Sequence, residues 1–237
     1  RVEEFRERVT LELNHIVKER HFQILTHSTF FSENDLEALY LQFRNAAYGH
    51  LTPDSPADVS SASLSQPSPS GSHLAGLNAE YFSLIINGMF GRPLVDFSSR
   101  VFQVLDEHGT GRMTFSEFVH GLHVILKGTP QARTDLLFKI YDKDADGFLD
   151  LSELQTLCQD IFISAIDGYH VPPALMEKIN SIRSDPAFLP DTMVQQVGSE
   201  SHGDRISLYE FHELLAIDKY KVIADWIEYF FRPRSST

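Results

Sequence analysis

Cysteine is almost missing from this chain of 237 residues: Cys158 stands alone. One thiol closes no internal disulfide, and such usage points to a reducing, cytoplasmic setting. Basic residues are scarce as well, with 20 Lys and Arg against 33 Asp and Glu, a net charge of −13 when histidine is neutral. A surface of that sign repels phosphate backbones and anionic lipids, so no nucleic-acid partner is expected. Membrane contact is expected only indirectly, or through a segment preceding Arg1. Long apolar runs are lacking too, and no window approaches the 18 consecutive residues of a membrane span. Nowhere does the chain supply a nucleophilic triad, a phosphate-cradling glycine loop or a pair of catalytic carboxylates, so it is not expected to be an enzyme. Because the chain begins with Arg1 rather than Met, signal and acylation motifs are not readable from it, and its start is expected to lie upstream.

What the chain does have is apolar mass. Hydrophobic residues make up 42% of it, with 18 Phe, enough to build a core in one large domain or two small ones. Val2, Phe5, Val9, Leu13, Ile16 and Val17 recur at spacings of three and four, an amphipathic stripe over Arg1 to about His21. Ser32-Glu-Asn-Asp35 reads as a helix start before Leu36. Strand-like alternation never lasts more than a few residues, which makes the expected fold class all-α. One stretch breaks the pattern: residues 52–75 hold eight Ser and four of the eleven Pro. That composition cannot bury enough apolar surface to offset ordering entropy, so a disordered insertion is expected there. Ser55-Pro56 and Ser68-Pro69 within it are candidate sites of proline-directed phosphorylation.

The chemistry lies in a repeat. Residues 142–153 read DKDADGFLDLSE, with acids at positions 1, 3, 5, 9 and 12: Asp142, Asp144, Asp146, Asp150 and Glu153. Gly147 falls where such a loop must turn, and Phe148 at position 7 offers its backbone carbonyl. A hard divalent cation takes six to eight oxygens, and this spacing gathers them from one short segment. Glu153 is long enough to give two oxygens, which favours Ca²⁺, with Mg²⁺ as an alternative occupant. Leu137, Phe138 and Tyr141 precede the loop at helical spacing, and Leu154, Leu157 and Cys158 follow it. Five acids less Lys143 account for −4 of the net −13.

The template recurs twice with poorer ligands. Asp106 to Glu117, DEHGTGRMTFSE, keeps both end acids and Gly111 but has His108 and Thr110 at positions 3 and 5. Ser199 to Glu210, SESHGDRISLYE, keeps Ile206 at position 8 and the apolar residues after it. Ser199 and Ser201 replace acids there, and Gly203 lies one place early. Fewer carboxylates mean weaker replacement of a cation's hydration shell, so metal is expected chiefly at 142–153.

These residues resemble the EF-hand superfamily, specifically the four-hand branch of neuronal calcium sensors, calcineurin B-like and potassium-channel-interacting proteins, with calaxin-like ciliary sensors similar. The resemblance runs from Phe82 through Leu157, above all in FSEFVHGLHVILKGT followed by FKIYDKDADGFLDLSEL. It implies two lobes of paired hands with extra N- and C-terminal helices. The expected divisions are 1–31 for an N-terminal amphipathic helix and 32–125 for a first lobe containing the 52–75 insertion. A second lobe follows at 126–216, and a C-terminal amphipathic helix and tail at 217–237. In that branch the first hand is metal-free; here Gly76 to Phe82 resembles the end of such a loop, with Tyr81 where the last acid would fall. Position-8 residues of paired loops meet, so Met113 is expected against Leu77, and Leu149 against Ile206. Residues 168–184 read as an excursion within the second lobe.

Ile217 to Phe231 carries Ile223, Trp226, Ile227, Phe230 and Phe231 as a wide apolar stripe. It is expected to fill the protein's own groove, dock on a partner, or belong to ordinary core. His120 and His123 lie one turn apart, but without Cys or an H-E-x-x-H motif they make a poor zinc site. The function expected from these features is a calcium-binding sensor or adaptor that takes an amphipathic helix of a partner protein. The alternatives are a calcium-indifferent structural protein of a cytoskeletal or axonemal assembly, and a regulatory module of a longer enzyme.

Overall fold

Six of the described helices start at a side chain that satisfies a first-turn backbone N–H group: Ser32, Asn78, Thr114, Thr129, Asp150 and Ser207. The computed structural model describes residues 18–48, 76–90, 95–164, 171–199 and 202–232. Residues 1–17, most of the expected N-terminal stripe, lie outside these ranges, as does the 52–75 insertion. A helix over 18–28 (α1) leads to α2, Glu33–Tyr48. Its start is Ser32, whose N–H and Oγ donate to Asp35 Oδ2 at 2.9 and 2.6 Å while Asp35 N–H returns a bond to Ser32 Oγ. Asn78 Oδ1 accepts from Tyr81 N–H at the start of α3, Ala79–Phe90. Next come α4, Val95–Leu105, α5, Phe115–Lys127, and α6, Pro130–Tyr141. Thr129 caps α6, with Pro130 where a missing N–H costs nothing.

The second half holds β1, Phe148–Asp150, then α7, Leu151–Ser164, α8, Pro173–Ile182, and α9, Pro190–Val197. It closes with β2, Arg205–Ser207, α10, Leu208–Ala216, and α11, Lys221–Phe230. Strands are confined to three residues each among the described residues, and the fold is all-α.

The loops meet in pairs at the expected residues. Leu77 and Met113 exchange two N–H···O bonds of 2.9 Å in an isolated antiparallel bridge. Strands β1 and β2 run antiparallel with Leu149 opposite Ile206, Phe148 opposite Ser207 and Asp150 opposite Arg205. All four position-8 residues are fully buried. Each pair therefore ties two helix–loop–helix units through a short backbone link and an apolar contact.

Around α5, the rings of Phe22, Phe43 and Phe82 gather on Phe115 and Phe118. The two halves are joined at α4. Arg100 donates to Asp160 at 2.6 Å, Tyr141 OH donates to the same Asp160 oxygen at 2.7 Å, and Phe97 packs on Phe230 with ring centres 4.5 Å apart.

Two boundaries differ from the sequence expectation. The C-terminal segment is not one helix from Ile217. A 3-10 turn, Asp218–Tyr220, precedes α11, because Ile217 is extended and buried Tyr220 is pinned by its OH on Ala187 O at 2.8 Å. The excursion contains a packed helix: Leu175, Ile179 and Ile182 of α8, spaced four and three apart, turn inward. Along α11, Ile223, Trp226, Ile227 and Phe230 are buried within the protein itself, and Trp226 Nε1–H donates to Ser164 Oγ at 2.9 Å.

Candidate metal centre

The loop at 142–153 is shaped by its own backbone. Asp142 ends α6, and Ala145 and Gly147 take positive φ of 57° and 84°, which folds the chain back on the aspartates. Asp142 Oδ1 and Oδ2 accept from Asp146 N–H and Gly147 N–H at 3.1 and 3.0 Å. Asp144 Oδ1 accepts from Asp146 N–H at 3.2 Å, and Asp146 Oδ1 from Phe148 N–H at 2.9 Å. One carboxylate oxygen each from Asp142, Asp144 and Asp146 lies within 4.8 Å of the others, and this is the only such group of three among the described residues.

Asp150 and Glu153 form a separate pair at the start of α7. Glu153 N–H donates to Asp150 Oδ1 at 2.8 Å, and Asp150 N–H donates back to Glu153 Oε2 at 3.0 Å. The other oxygen, Oε1, accepts from Lys143 N–H at 2.6 Å, so buried Glu153 spans the loop from position 12 to position 2. Phe148 contributes to β1.

Charge is crowded here. Burial pushes the Glu153 carboxyl above its ordinary value, and repulsion from Asp150 and Asp144 adds to that against the bonds from Asp150 and Lys143 N–H. Asp142 is raised likewise, first by burial and then by Asp146 and Asp144. An all-oxygen set whose members disfavour one another's charge is one that a bound divalent cation relieves, so these residues fit Ca²⁺.

The two poorer loops keep the scaffold and treat the last glutamate differently. Thr114 with Glu117, and Ser207 with Glu210, form reciprocal caps at the starts of α5 and α10, matching Asp150 with Glu153. At Glu117, Oε1 meets His108 Nδ1 at 2.6 Å; at Glu210, both oxygens lie 3.0–3.1 Å from His202 Nδ1. Burial alone would raise both carboxyls, but bonds from Thr114 and His108, and from Ser207, His202 and Ser199, outweigh it and hold them below the ordinary range.

The remaining sequence candidates have other work. His120 bonds Ser28 Oγ through Nε2 at 3.1 Å, and His123 Nδ1 accepts from Phe30 N–H at 3.2 Å, so both fasten the α1–α2 connection to α5. Cys158 is buried beside Met193, and burial pushes its thiol up to about 12.

No family model matches the chain. Among curated relatives it is 28% identical over 148 residues to the calcium-binding protein NCSA of Dictyostelium discoideum, covering 62% of this chain and 64% of that one. It is 25% identical over 128 residues to guanylyl cyclase-activating protein 2 of Gallus gallus, 53% of this chain and 60% of that one. These relatives are EF-hand calcium-binding proteins, and the chain is similar to them. It is also 28% identical to calaxin of Danio rerio over 88 residues, 37% of this chain and 42% of the relative. The chain thus spans less than two thirds of the length of each of these relatives. Within the EF-hand reading, 106–117, 142–153 and 199–210 each lie between two described helices, and the bridge at Leu77 joins the residues before α3 to Met113 of the 106–117 loop.

Three side chains have partners that the sequence did not indicate. His108 was read as a ligand replacement but not as the partner of Glu117, and His202 was not singled out at all. Arg205 was overlooked altogether. It donates through Nη1 to Asp146 Oδ2 at 2.6 Å, and pairing Leu149 with Ile206 already implies that it faces Asp150.

Proposed function

We propose that this protein is a non-enzymatic, calcium-responsive adaptor whose loop 142–153 holds Ca²⁺ through Asp142, Asp144, Asp146, the Phe148 carbonyl, Asp150 and Glu153. The observation that carries this reading is the carboxylate cluster of Asp142, Asp144 and Asp146, opposite a Glu153 whose buried charge meets no cationic side chain. For Glu153 to turn both oxygens inward, it gives up the bond from Lys143 N–H. Because Glu153 is in the first turn of α7, that change is passed to the helix. The far end of α7 is Ser164, the residue bonded to Trp226 of α11. Rotation of α7 therefore loosens the seat of α11 and exposes apolar surface to an amphipathic helix of a partner protein. The proposed setting is the cytoplasm, including cytoskeletal structures, and no described helix is long and apolar enough to cross a membrane.

Calcium titration by calorimetry with ~1 mM Mg²⁺ present tests the site, at a level where mixed Ca²⁺/Mg²⁺ sites declare themselves. Trp226 is the only tryptophan, so its emission reports the far end of the same path. The expected result is one micromolar-class site, an emission change on loading, and loss of both in Glu153→Gln. Unchanged calorimetry in that variant would falsify the assignment.

A second reading has support in the burial of α11 and in the similarity to calaxin: a structural EF-hand protein of an axonemal or cytoskeletal assembly. It predicts partner capture that is equal in chelator and in Ca²⁺.

A further inference from the structure

We propose that Arg205 is a tethered counter-cation of the 142–153 loop, one that holds Asp146 in the calcium-free protein and sets calcium affinity by having to be displaced. The inference rests on the assignment of 142–153 as the calcium site.

Asp146 has both oxygens engaged. Oδ1 accepts from Phe148 N–H at 2.9 Å, and Oδ2 accepts from Arg205 Nη1 at 2.6 Å. The guanidinium comes from the neighbouring hand, 59 residues away in the chain. It arrives there by strand register: Arg205 is the cross-strand neighbour of Asp150 at position 9, and its side chain reaches Asp146 at position 5.

Nor is it a loosely held surface charge. Its Nε–H donates to His202 O at 3.4 Å, and its guanidinium carbon lies 4.7 Å from the centre of the Phe148 ring. The other neighbour of that ring is the His202 imidazole, 4.9 Å away between centres. The side chains of the ion pair remain 44% and 34% exposed.

Three consequences follow from charge. A guanidinium stays protonated throughout the physiological range, so the brake does not depend on pH. It offsets repulsion among the loop's acids while no divalent ion is present, and so stabilises the calcium-free state. A divalent ion taking Asp146 must break a bond that the loaded state does not contain. The degenerate hand thereby acquires a role in the calcium chemistry of its partner without holding metal.

Calcium calorimetry on the whole chain, wild type against Arg205→Gln and Arg205→Lys, tests this at ~0.15 M salt, where exposed pairs are partly screened. Affinity is expected to rise about three- to fivefold in Arg205→Gln, the size of a partly exposed ion pair at tenfold per 1.4 kcal/mol. Arg205→Lys, which keeps the charge but loses the planar fork, should fall between the two. Thermal unfolding in chelator supplies a readout free of calcium: Tm of Arg205→Gln should drop by up to about 2–4 °C, while the calcium-loaded Tm does not drop. Wild type that binds Ca²⁺ alongside an Arg205→Gln variant with equal or weaker affinity overturns this inference and leaves the site assignment standing. Wild type that binds no Ca²⁺ overturns both.

Discussion

Loop 142–153 and its two poorer copies are built on the same frame and differ in what meets the last glutamate. In all three, that residue is buried, caps the following helix from its third position, and bonds a backbone N–H near the start of the loop or a side chain there. In 106–117 and 199–210 a histidine imidazole lies against the carboxylate. In 142–153 no side chain does, and five acids stand in one segment with a single arginine reaching over from the neighbouring hand. The lesson is that capping and apolar pairing are the structural part of the motif, and they survive loss of the ligands. What sets 142–153 apart from its copies is a last glutamate whose oxygens meet only backbone N–H groups.

The comparison is broken most severely at the part the loops share. Leu149→Ala and Met113→Ala should each cost about 2–5 kcal/mol, as for other fully buried large-to-small changes. Denaturant unfolding in chelator should show losses of similar size in both, since the pairing contact needs no metal. A near-neutral Met113→Ala would mean that the ligand-poor hand is not a packing unit.

Next comes the part they do not share. Glu153→Gln is expected to move calcium affinity from the sensor range of ~10⁻⁷–10⁻⁵ M to ~10⁻³ M or weaker. Glu117→Gln, in a separate pair of hands, should leave it within about twofold. Equal losses in the two variants would show that the loops are coupled rather than independent.

The comparison can also be reversed. Restoring acids in the second hand with the double substitution His108→Asp and Thr110→Asp should raise calorimetric stoichiometry from one calcium to two, because turn, cap and end acids are already in place. Stoichiometry that stays at one would show that carboxylate count does not limit that loop.

The smallest effect is a proton one. The hydrogen bond and attraction of Glu117 raise the pKa of His108 above its ordinary 6.5. A raised histidine contributes stability that is complete below 6.5 and is lost as pH climbs past the raised value. Glu117, held below its ordinary 4.5, contributes stability that is present above 4.5 and lost as pH falls through the depressed value. The pair is therefore strongest between the two ordinary values. An NMR titration of the His108 ring should give a midpoint above 6.5 that returns toward 6.5 in Glu117→Gln; a midpoint already at 6.5 in wild type would remove histidine as the internal counter-charge.

Much of this was legible in the sequence because it is local. The twelve-residue spacing placed Asp142, Asp144 and Asp146 in one cluster, and Ser32 with Asp35 announced the start of α2. Even the two loop pairings were readable, since position 8 is apolar in each copy. The residues that escaped notice are those whose partner is distant or of an unexpected kind. Nothing in the run SESHGDRISLYE marks His202 as the companion of Glu210, because a histidine in a loop most often faces water. Residues 173–182 passed for an excursion because a helix of ten residues has too short a stripe to stand out from its Pro-rich entrance.

The sequence by itself determined the all-α class, the clustering of Asp142, Asp144 and Asp146, the cap at Ser32 and the apolar residues that join the paired loops. These depend on spacings within a turn or a loop, where backbone geometry leaves few alternatives. Only the tertiary structure decided that Arg205 would neutralise Asp146, that Trp226 would bond Ser164, and that α11 would be covered by its own protein. Those contacts join residues 59 and 62 positions apart, and their energies depend on burial and mutual orientation that no local pattern contains.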